Sequence, residues 1–198
     1  MSIQTLEVTF RGIDQLLQNN PQTSDPLNKY SKELKKITDK RKRVDNDYLE
    51  MRRIEMRSKL YWDEDMGVYV PSSWVLAMLC GNSWTRCKIK KSDIRAAVFA
   101  TEWKLPLEYE GKKGVKAPLD IVDDEKFQCI KSLKQGQNRV VKAAPIFDKW
   151  SFSATLEYDD EIVPTTEIIT LIEYGSKFGG FGDFRPTYGR ANPEMNHV

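Results

Sequence analysis

The sequence has few of the side chains that enzymes most often use for proton transfer and metal binding. Its 198 residues include one histidine, His197, and three cysteines, Cys80, Cys87 and Cys129, with no Cys-x-x-Cys spacing. These residues do not favour a zinc site, and an odd number of cysteines suits a reducing compartment. Histidine is the side chain that most readily exchanges protons near pH 7, and this chain has one. No pair of carboxylates stands out as a metal-dependent nuclease site. We therefore expect a protein that is not an enzyme and that uses no metal or cofactor.

Long apolar runs and nucleotide-binding motifs are also missing. No apolar run approaches the length needed to span a bilayer, and no signal-peptide pattern is present. The sequence contains no Gly-x-x-x-x-Gly-Lys-Ser/Thr motif, so a nucleotide P-loop is not expected. These absences predict a soluble, cytoplasmic protein without a membrane partner.

The composition is that of a folded chain whose charges nearly cancel. Apolar residues make up 40% of the sequence and there are five tryptophans, which is sufficient for one domain, or one domain with an insertion. The net charge is only +2, from 31 basic and 29 acidic side chains. Any preference for a charged partner must therefore come from how the charges are distributed.

The basic charge is concentrated between Lys29 and Lys59. This block has twelve basic and six acidic side chains and no glycine or proline, which predicts two helices, at about 31–43 and 46–59. The run Lys40-Arg41-Lys42-Arg43 could neutralise several phosphates, or it could be a solvated helix surface. A second basic patch covers Trp84 to Lys91, with Arg86, Lys88, Lys90 and Lys91.

Alternating apolar and polar residues predict two strands, Thr5–Phe10 and Trp150–Tyr158, each with one apolar side for helices to cover. Gly136-Gln137-Asn138 predicts a turn between two further strands.

Residues that commonly begin and end helices predict two of them. One begins after Pro71-Ser72-Ser73 and ends at Gly81-Asn82, and another begins near Thr165 and ends in a left-handed turn at Gly175.

The segment after Gly175 combines glycines, basic residues and aromatic rings. It contains Gly179, Gly180, Gly182 and Gly189, interleaved with Lys177, Arg185 and Arg190 and with Phe178, Phe181, Phe184 and Tyr188. Glycine permits close approach of another chain, arginine provides a fork of donors for phosphate, and rings can stack on unpaired bases. Alternatively, this is a tight surface loop whose aromatic rings fold back onto the core.

Several of these motifs resemble known families. The helix followed by a glycine-rich loop that ends in Gly-Arg resembles the RAMP superfamily of CRISPR-associated RNA-binding proteins, especially backbone subunits that polymerise along guide RNA. Val70-Pro71-Ser72-Ser73 is similar to the Pro-Gly-Ser-Ser helix start of that superfamily, although the glycine is absent. The segments 180–186 and 188–190 resemble the Gly-x-Gly-Asp-aromatic-Arg-Pro signature of a family of uncharacterised phage proteins. This second resemblance extends over most of the chain.

The resemblance implies an α+β fold of the ferredoxin-like (RRM/RAMP-like) type, an antiparallel sheet with helices on one face and a charged helical insertion. Residues 1–20 and 60–190 would form the body, 21–59 the basic helical insertion, and 191–198 a flexible tail. In RAMP backbone subunits such insertions contact the nucleic acid or a neighbouring subunit. The location would be the cytoplasm of a phage-infected bacterial cell.

The expected function is binding of single-stranded RNA or DNA, as a homo-oligomer or filament. An alternative is a mimic of a CRISPR backbone subunit that binds and inhibits a host effector complex, and a nuclease of the same superfamily is a third hypothesis. The residues expected to contact nucleic acid are Lys40, Arg41, Lys42, Arg43, Lys177, Phe178, Gly179, Gly180, Gly182, Phe184, Arg185, Tyr188 and Arg190.

Overall fold

The computed structural model describes residues 2–135 and 138–197, which form two compact units. Within the described residues, the first unit contains the segments up to 16, 68–110 and from 147 onward. The second contains 17–67 and 111–146, so it includes a later segment in addition to the predicted insertion at 21–59.

Helices and antiparallel strands occur together, so the chain has an α+β fold. The strands are β1 (Ile3–Gly12), β2 (Leu16–Leu17), β3 (Trp62–Asp63), β4 (Gly67–Pro71), β5 (Val98–Ala100), β6 (Lys104–Pro106), β7 (Gln128–Gln135), β8 (Asn138–Phe147), β9 (Ser151–Asp159) and β10 (Ala191–His197). The α-helices are α1 (Lys29–Thr38), α2 (Asp45–Lys59), α3 (Ser73–Cys87), α4 (Lys91–Ala97), α5 (Pro118–Val122) and α6 (Thr165–Tyr174). In the two described ranges, none of the helices combines the length and the apolarity needed to cross a membrane.

The first unit is built on a four-stranded antiparallel sheet in the order β10-β1-β9-β5. Phe10 lies opposite Phe152 in the register of β1 and β9, and both are buried. On the other side of the same strands the Thr9 and Ser153 hydroxyls are 2.8 Å apart and accessible to solvent. The predicted alternation is thus confirmed in both strands, because one side of each strand packs into a core and the other meets water.

The edge strand β10 replaces the flexible tail that the sequence led us to expect. Ala191 lies opposite Gly12 and Met195 opposite Val8, so the backbone groups of β1 are paired on both sides. Ala191, Pro193 and Met195 alternate with polar residues, but proline and two asparagines are uncommon in strands, and therefore the sequence did not indicate one. Val198 lies outside the described residues.

Glycines near the helix ends do not terminate the helices. α3 continues past Gly81 to Cys87, because an exposed glycine only weakens a helix, and the left-handed residue that ends it is Lys88, with φ 59°. Gly175 also remains helical, with φ −63°, and a π-helical turn follows over Gly175–Gly179. A Cβ at Gly175 would collide with Met78, so this glycine allows α6 to approach α3 closely.

The second unit contains α1, α2, α5 and the hairpin of β7 and β8; the predicted turn of this hairpin involves residues 136 and 137, outside the described residues. The two predicted basic helices are confirmed, although α1 ends before Lys40. Buried Glu55 accepts a hydrogen bond of 2.9 Å from the Ala143 backbone N–H and pairs with Lys142 at 2.7 Å. Arg53 and Asp123 form a two-pronged ion pair, which connects α2 to the end of α5.

An aromatic cluster fills the core of the first unit. The ring of Phe181 is fully buried, and its centroid lies 4.8 Å from Phe10, 5.1 Å from Phe152 and 6.1 Å from Trp150. Phe181 therefore follows the second of the two predictions for this segment, in which the aromatic rings fold back onto the core and do not contact a ligand.

The Phe181→Ala substitution should lower the free energy of unfolding by about 3–5 kcal/mol, the usual cost of truncating a buried aromatic side chain. Phe178→Ala is the matched control in the same segment, because Phe178 is exposed and, among the described residues, has one ring neighbour, Tyr174. Its cost should be about 0.5–1.5 kcal/mol. Urea unfolding followed by circular dichroism measures both, and equal losses would contradict the assignment of Phe181 to the core.

Candidate nucleic-acid interface

A groove of about 510 Å³ lies between α3 and the glycine-rich segment. One wall is formed by the small residues Ala77 and Gly81 of α3, and both are exposed. The remaining lining residues come from the glycine-rich segment, and they are Phe178, Gly179, Gly182, Asp183, Phe184, Arg185 and Pro186.

Backbone hydrogen bonds close the segment at its base. The Phe181 N–H donates a hydrogen bond of 2.8 Å to the Gly189 carbonyl, and the Gly189 N–H donates one of 2.8 Å to the Gln15 carbonyl. Gly180, Gly182 and Gly189 have φ of 70°, 73° and 78°, in the left-handed region that favours glycine. A Cβ at Gly189 would overlap the Phe181 carbonyl oxygen, so Gly180 and Gly189 shape the loop rather than contact a ligand.

Two rings and two cations remain at the surface of the groove or beside it. The side chain of Phe178 is 61% exposed and that of Phe184 is 37% exposed. Lys177 and Arg185 are exposed as well, and neither has an ion pair or hydrogen bond to any residue that the structure describes. Charged side chains without a carboxylate partner, next to exposed rings, suit a polyanion that carries aromatic groups.

Arg190 and Tyr188 lie outside this groove. The Arg190 Nε donates to Asp14 Oδ2 at 2.6 Å, and the Arg190 backbone N–H donates to Asp14 Oδ1 at 2.9 Å. Tyr188 lines a different groove, together with residues 12–15 and Lys149. Tyr188 and Arg190, the last two residues of the predicted site, therefore lie beside the loop that follows β1, and Arg190 is already paired with the Asp14 carboxylate.

The basic run 40–43 belongs to the second unit. Lys40 pairs with Asp47 at 2.6 Å, and this hydrogen bond, followed by one from the Val44 backbone, lowers the pKa of Asp47. Arg43 donates to the Thr38 carbonyl at 2.9 Å. Of these four side chains, Arg41 and Lys42 are exposed and have no polar partner in the described part of the chain.

The structure adds residues that the sequence did not connect to the site. The Arg86 guanidinium lies 4.1 Å from the centroid of the Tyr174 ring, and the Tyr174 ring lies 4.7 Å from that of Phe178. Arg86 was predicted as part of a basic patch, but nothing in the sequence linked α3 to α6. The exposed Trp84, with the Lys88 ammonium 6.0 Å from its ring centroid, belongs to the same end of α3.

Cys87 follows Arg86 at the end of α3. Burial, together with the hydrogen bond from Cys87 Sγ to the Glu167 carbonyl, raises the pKa of Cys87 to about 12. Cys87 therefore adds no negative charge beside Arg86 near neutral pH. Over residues 2–135 and 138–197, no three His, Cys, Asp or Glu side chains come together in a way that could hold a metal ion.

Alanine substitutions at Gly189 and Gly81 should change the free energy of unfolding in opposite directions. Gly189→Ala should lower the free energy of unfolding by at least about 1–2 kcal/mol, because the new methyl group meets the Phe181 carbonyl and the backbone is left-handed. Gly81→Ala is the control: its Cβ meets nothing within 4 Å, and it should raise helix stability by about 0.5–1 kcal/mol. Thermal unfolding of both variants checks this, and a harmless Gly189→Ala would contradict the closed loop.

No known family model matches this sequence, and no curated protein is detectably similar to it. The kinship with RAMP proteins and with a phage family therefore stays a prediction from residues 70–73 and 180–190. Support for a function comes from the contacts and charges of the groove.

Proposed function

We propose that the protein binds single-stranded nucleic acid in the groove between α3 and the glycine-rich segment. The observation that carries this proposal is the pair of cations, Lys177 and Arg185, which have no partner among the described residues and flank two exposed rings. A paired cation would have to give up its carboxylate before it met a phosphate, whereas these two do not.

Each part of the groove has a chemical role in this proposal. Arg185 offers a planar fork of donors to a phosphate, and Lys177 adds a second positive charge. Gly179 and Gly182 leave room for a sugar–phosphate backbone to come close to the protein backbone. Phe178 and Phe184 offer apolar surface to bases that a duplex would keep stacked inside.

The strand order supports the ferredoxin-like assignment that the RAMP resemblance implies. β1 and β5 are joined through α3 and have β9 between them, while β9 and β10 are joined through α6 and have β1 between them. Two such split β-α-β units in one antiparallel sheet are the ferredoxin-like pattern. We infer this fold for the first unit, with the second unit supplied by the segments 17–67 and 111–146.

Polymerisation along the strand is part of the proposal. Arg41 and Lys42, on the second unit, would give each copy a further contact with phosphate or with a neighbouring copy. Light scattering with and without an oligonucleotide measures this assembly.

Arg185 and Arg190 provide a matched test, since both substitutions to alanine remove one positive charge from the same segment. Arg185→Ala should weaken binding of a single-stranded oligonucleotide about tenfold or more at low salt and reduce the salt slope by about 0.7, because one phosphate contact is lost. Arg190→Ala should instead lower the free energy of unfolding by about 0.5–1 kcal/mol, because its ion pair with Asp14 is partly exposed. Fluorescence anisotropy at two salt concentrations and urea unfolding measure the two effects. No binding by the unaltered protein at low salt would refute the proposal.

A protein-binding role is the second candidate, and one surface favours it. Ile3, Phe99 and Ile162 are 61%, 56% and 49% exposed and surround a shallow pocket next to the edge strand β5. Clusters of exposed apolar side chains beside an unpaired strand edge are typical of protein interfaces. The partner in this hypothesis is a host CRISPR effector complex.

Phe99→Ser should abolish co-purification with such a complex and leave oligonucleotide binding unchanged, because Phe99 does not line the groove. Arg185→Ala should have the opposite effects. Pull-down from cells with and without the complex, together with anisotropy, measures both. A complex that is retained by both variants would contradict the assignment of this surface.

A further inference from the structure

Three planar groups lie one beside the next near the groove. Arg86 belongs to α3, Tyr174 is the last residue of α6, and Phe178 lies in the π-helical turn that follows. The Arg86 guanidinium from α3 covers the Tyr174 ring, whose centroid is 4.1 Å away. The Tyr174 ring in turn lies 4.7 Å from the Phe178 ring, with 32° between the ring planes. We name this group the Arg86–Tyr174–Phe178 stack.

The position of the stack follows from the local backbone. Tyr174 is the last residue of α6, and Phe178 is four residues later in the π-helical turn, so the two rings lie on one side. Gly175, between them, lets α6 approach Met78 of α3. This close approach brings Arg86 within reach of Tyr174, and the order of the three groups is set by helix packing.

The stack ends on a ring that is open to solvent. Phe178 is 61% exposed, it lines the groove, and within the described residues its only ring neighbour is Tyr174. An exposed phenylalanine face is unfavourable in water unless another group covers it. Arg86 has no ion pair in the part of the chain that the structure describes, so positive charge accompanies the rings.

We propose that the outer face of Phe178 holds one unpaired nucleobase, so that the groove selects strands with unstacked bases over duplexes. This inference rests on the proposed function, and it assigns a single base to the one ring that Tyr174 and Arg86 hold in place. Phenylalanine has no donor or acceptor with which to distinguish one base from another, so recognition is tolerant of sequence. Tyr174 and Arg86 hold the ring in place before binding, which reduces the entropy lost when the base stacks.

The test compares three end-labelled oligonucleotide ligands of equal length by fluorescence anisotropy. They are a single strand, the same sugar–phosphate chain without bases, and a blunt duplex. The unaltered protein should bind the single strand about 5- to 100-fold more tightly than the chain without bases, the range for one stacked base. The duplex should also bind more weakly than the single strand.

The variants assign this difference to the Phe178 ring. Phe178→Ala and Phe178→Leu should lower the affinity for the single strand toward that for the chain without bases, while Phe178→Trp should preserve it. Phe99→Ala is the matched control, because Phe99 is 56% exposed in the same unit but does not line the groove, and both affinities should be unchanged. Phe178→Leu keeps apolar bulk at the site, so it reports on stacking if Phe178→Ala is too unstable to measure.

The outcomes separate this inference from the proposed function. Binding to neither single-stranded ligand would refute the proposed function, and the inference with it. Equal binding of the strands with and without bases would overturn only the inference. The same would follow if Phe178→Leu weakened binding to both ligands equally, since the ring would then only support the loop.

Discussion

The buried ring of Phe181 connects the glycine-rich segment to the core of the first unit. It lies among Phe10, Phe152 and Trp150, and its backbone N–H is bonded to the Gly189 carbonyl. The intervening residues therefore leave the core and return to it at two fixed points. Because the ends are held, the exposed side chains between them occupy defined positions beside α3. If this anchor were absent, the groove would have no second wall.

Glycine has two different structural roles in this region, and neither is general flexibility. Gly175 is helical and is required because α6 lies close to Met78 of α3. Gly189 has positive φ and is required because its Cα faces the Phe181 carbonyl. The first role sets the distance between the helices and so places Arg86 over the Tyr174 ring. The second closes the loop that presents the cations.

Ion pairing distinguishes the basic side chains that stabilise the fold from those available to a partner. The number of basic side chains does not make this distinction. The net charge of +2 gives no indication of an anionic partner. Lys40 and Arg190 have carboxylate partners at 2.6 Å, and these contacts satisfy local needs of the fold. Lys177 and Arg185 have none among the described residues, and they lie together on one segment. The proposed function follows from this difference, because an unpaired cation can meet a phosphate without first losing a protein contact.

The sequence by itself determined the features that depend on local periodicity: the strands at Thr5–Phe10 and Trp150–Tyr158, the start of α6, and the two basic helices. It also indicated the glycine-rich segment that contains Phe178 and Arg185 as a candidate binding site. Only the tertiary structure decided that 191–197 is a strand, that Phe181 is buried, and which arginines of the segment are paired. These outcomes depend on contacts between residues far apart in the chain, such as β10 with β1 and Arg190 with Asp14. Local periodicity carries no information about such partners, because burial and pairing are properties of the folded neighbourhood and not of the residue alone.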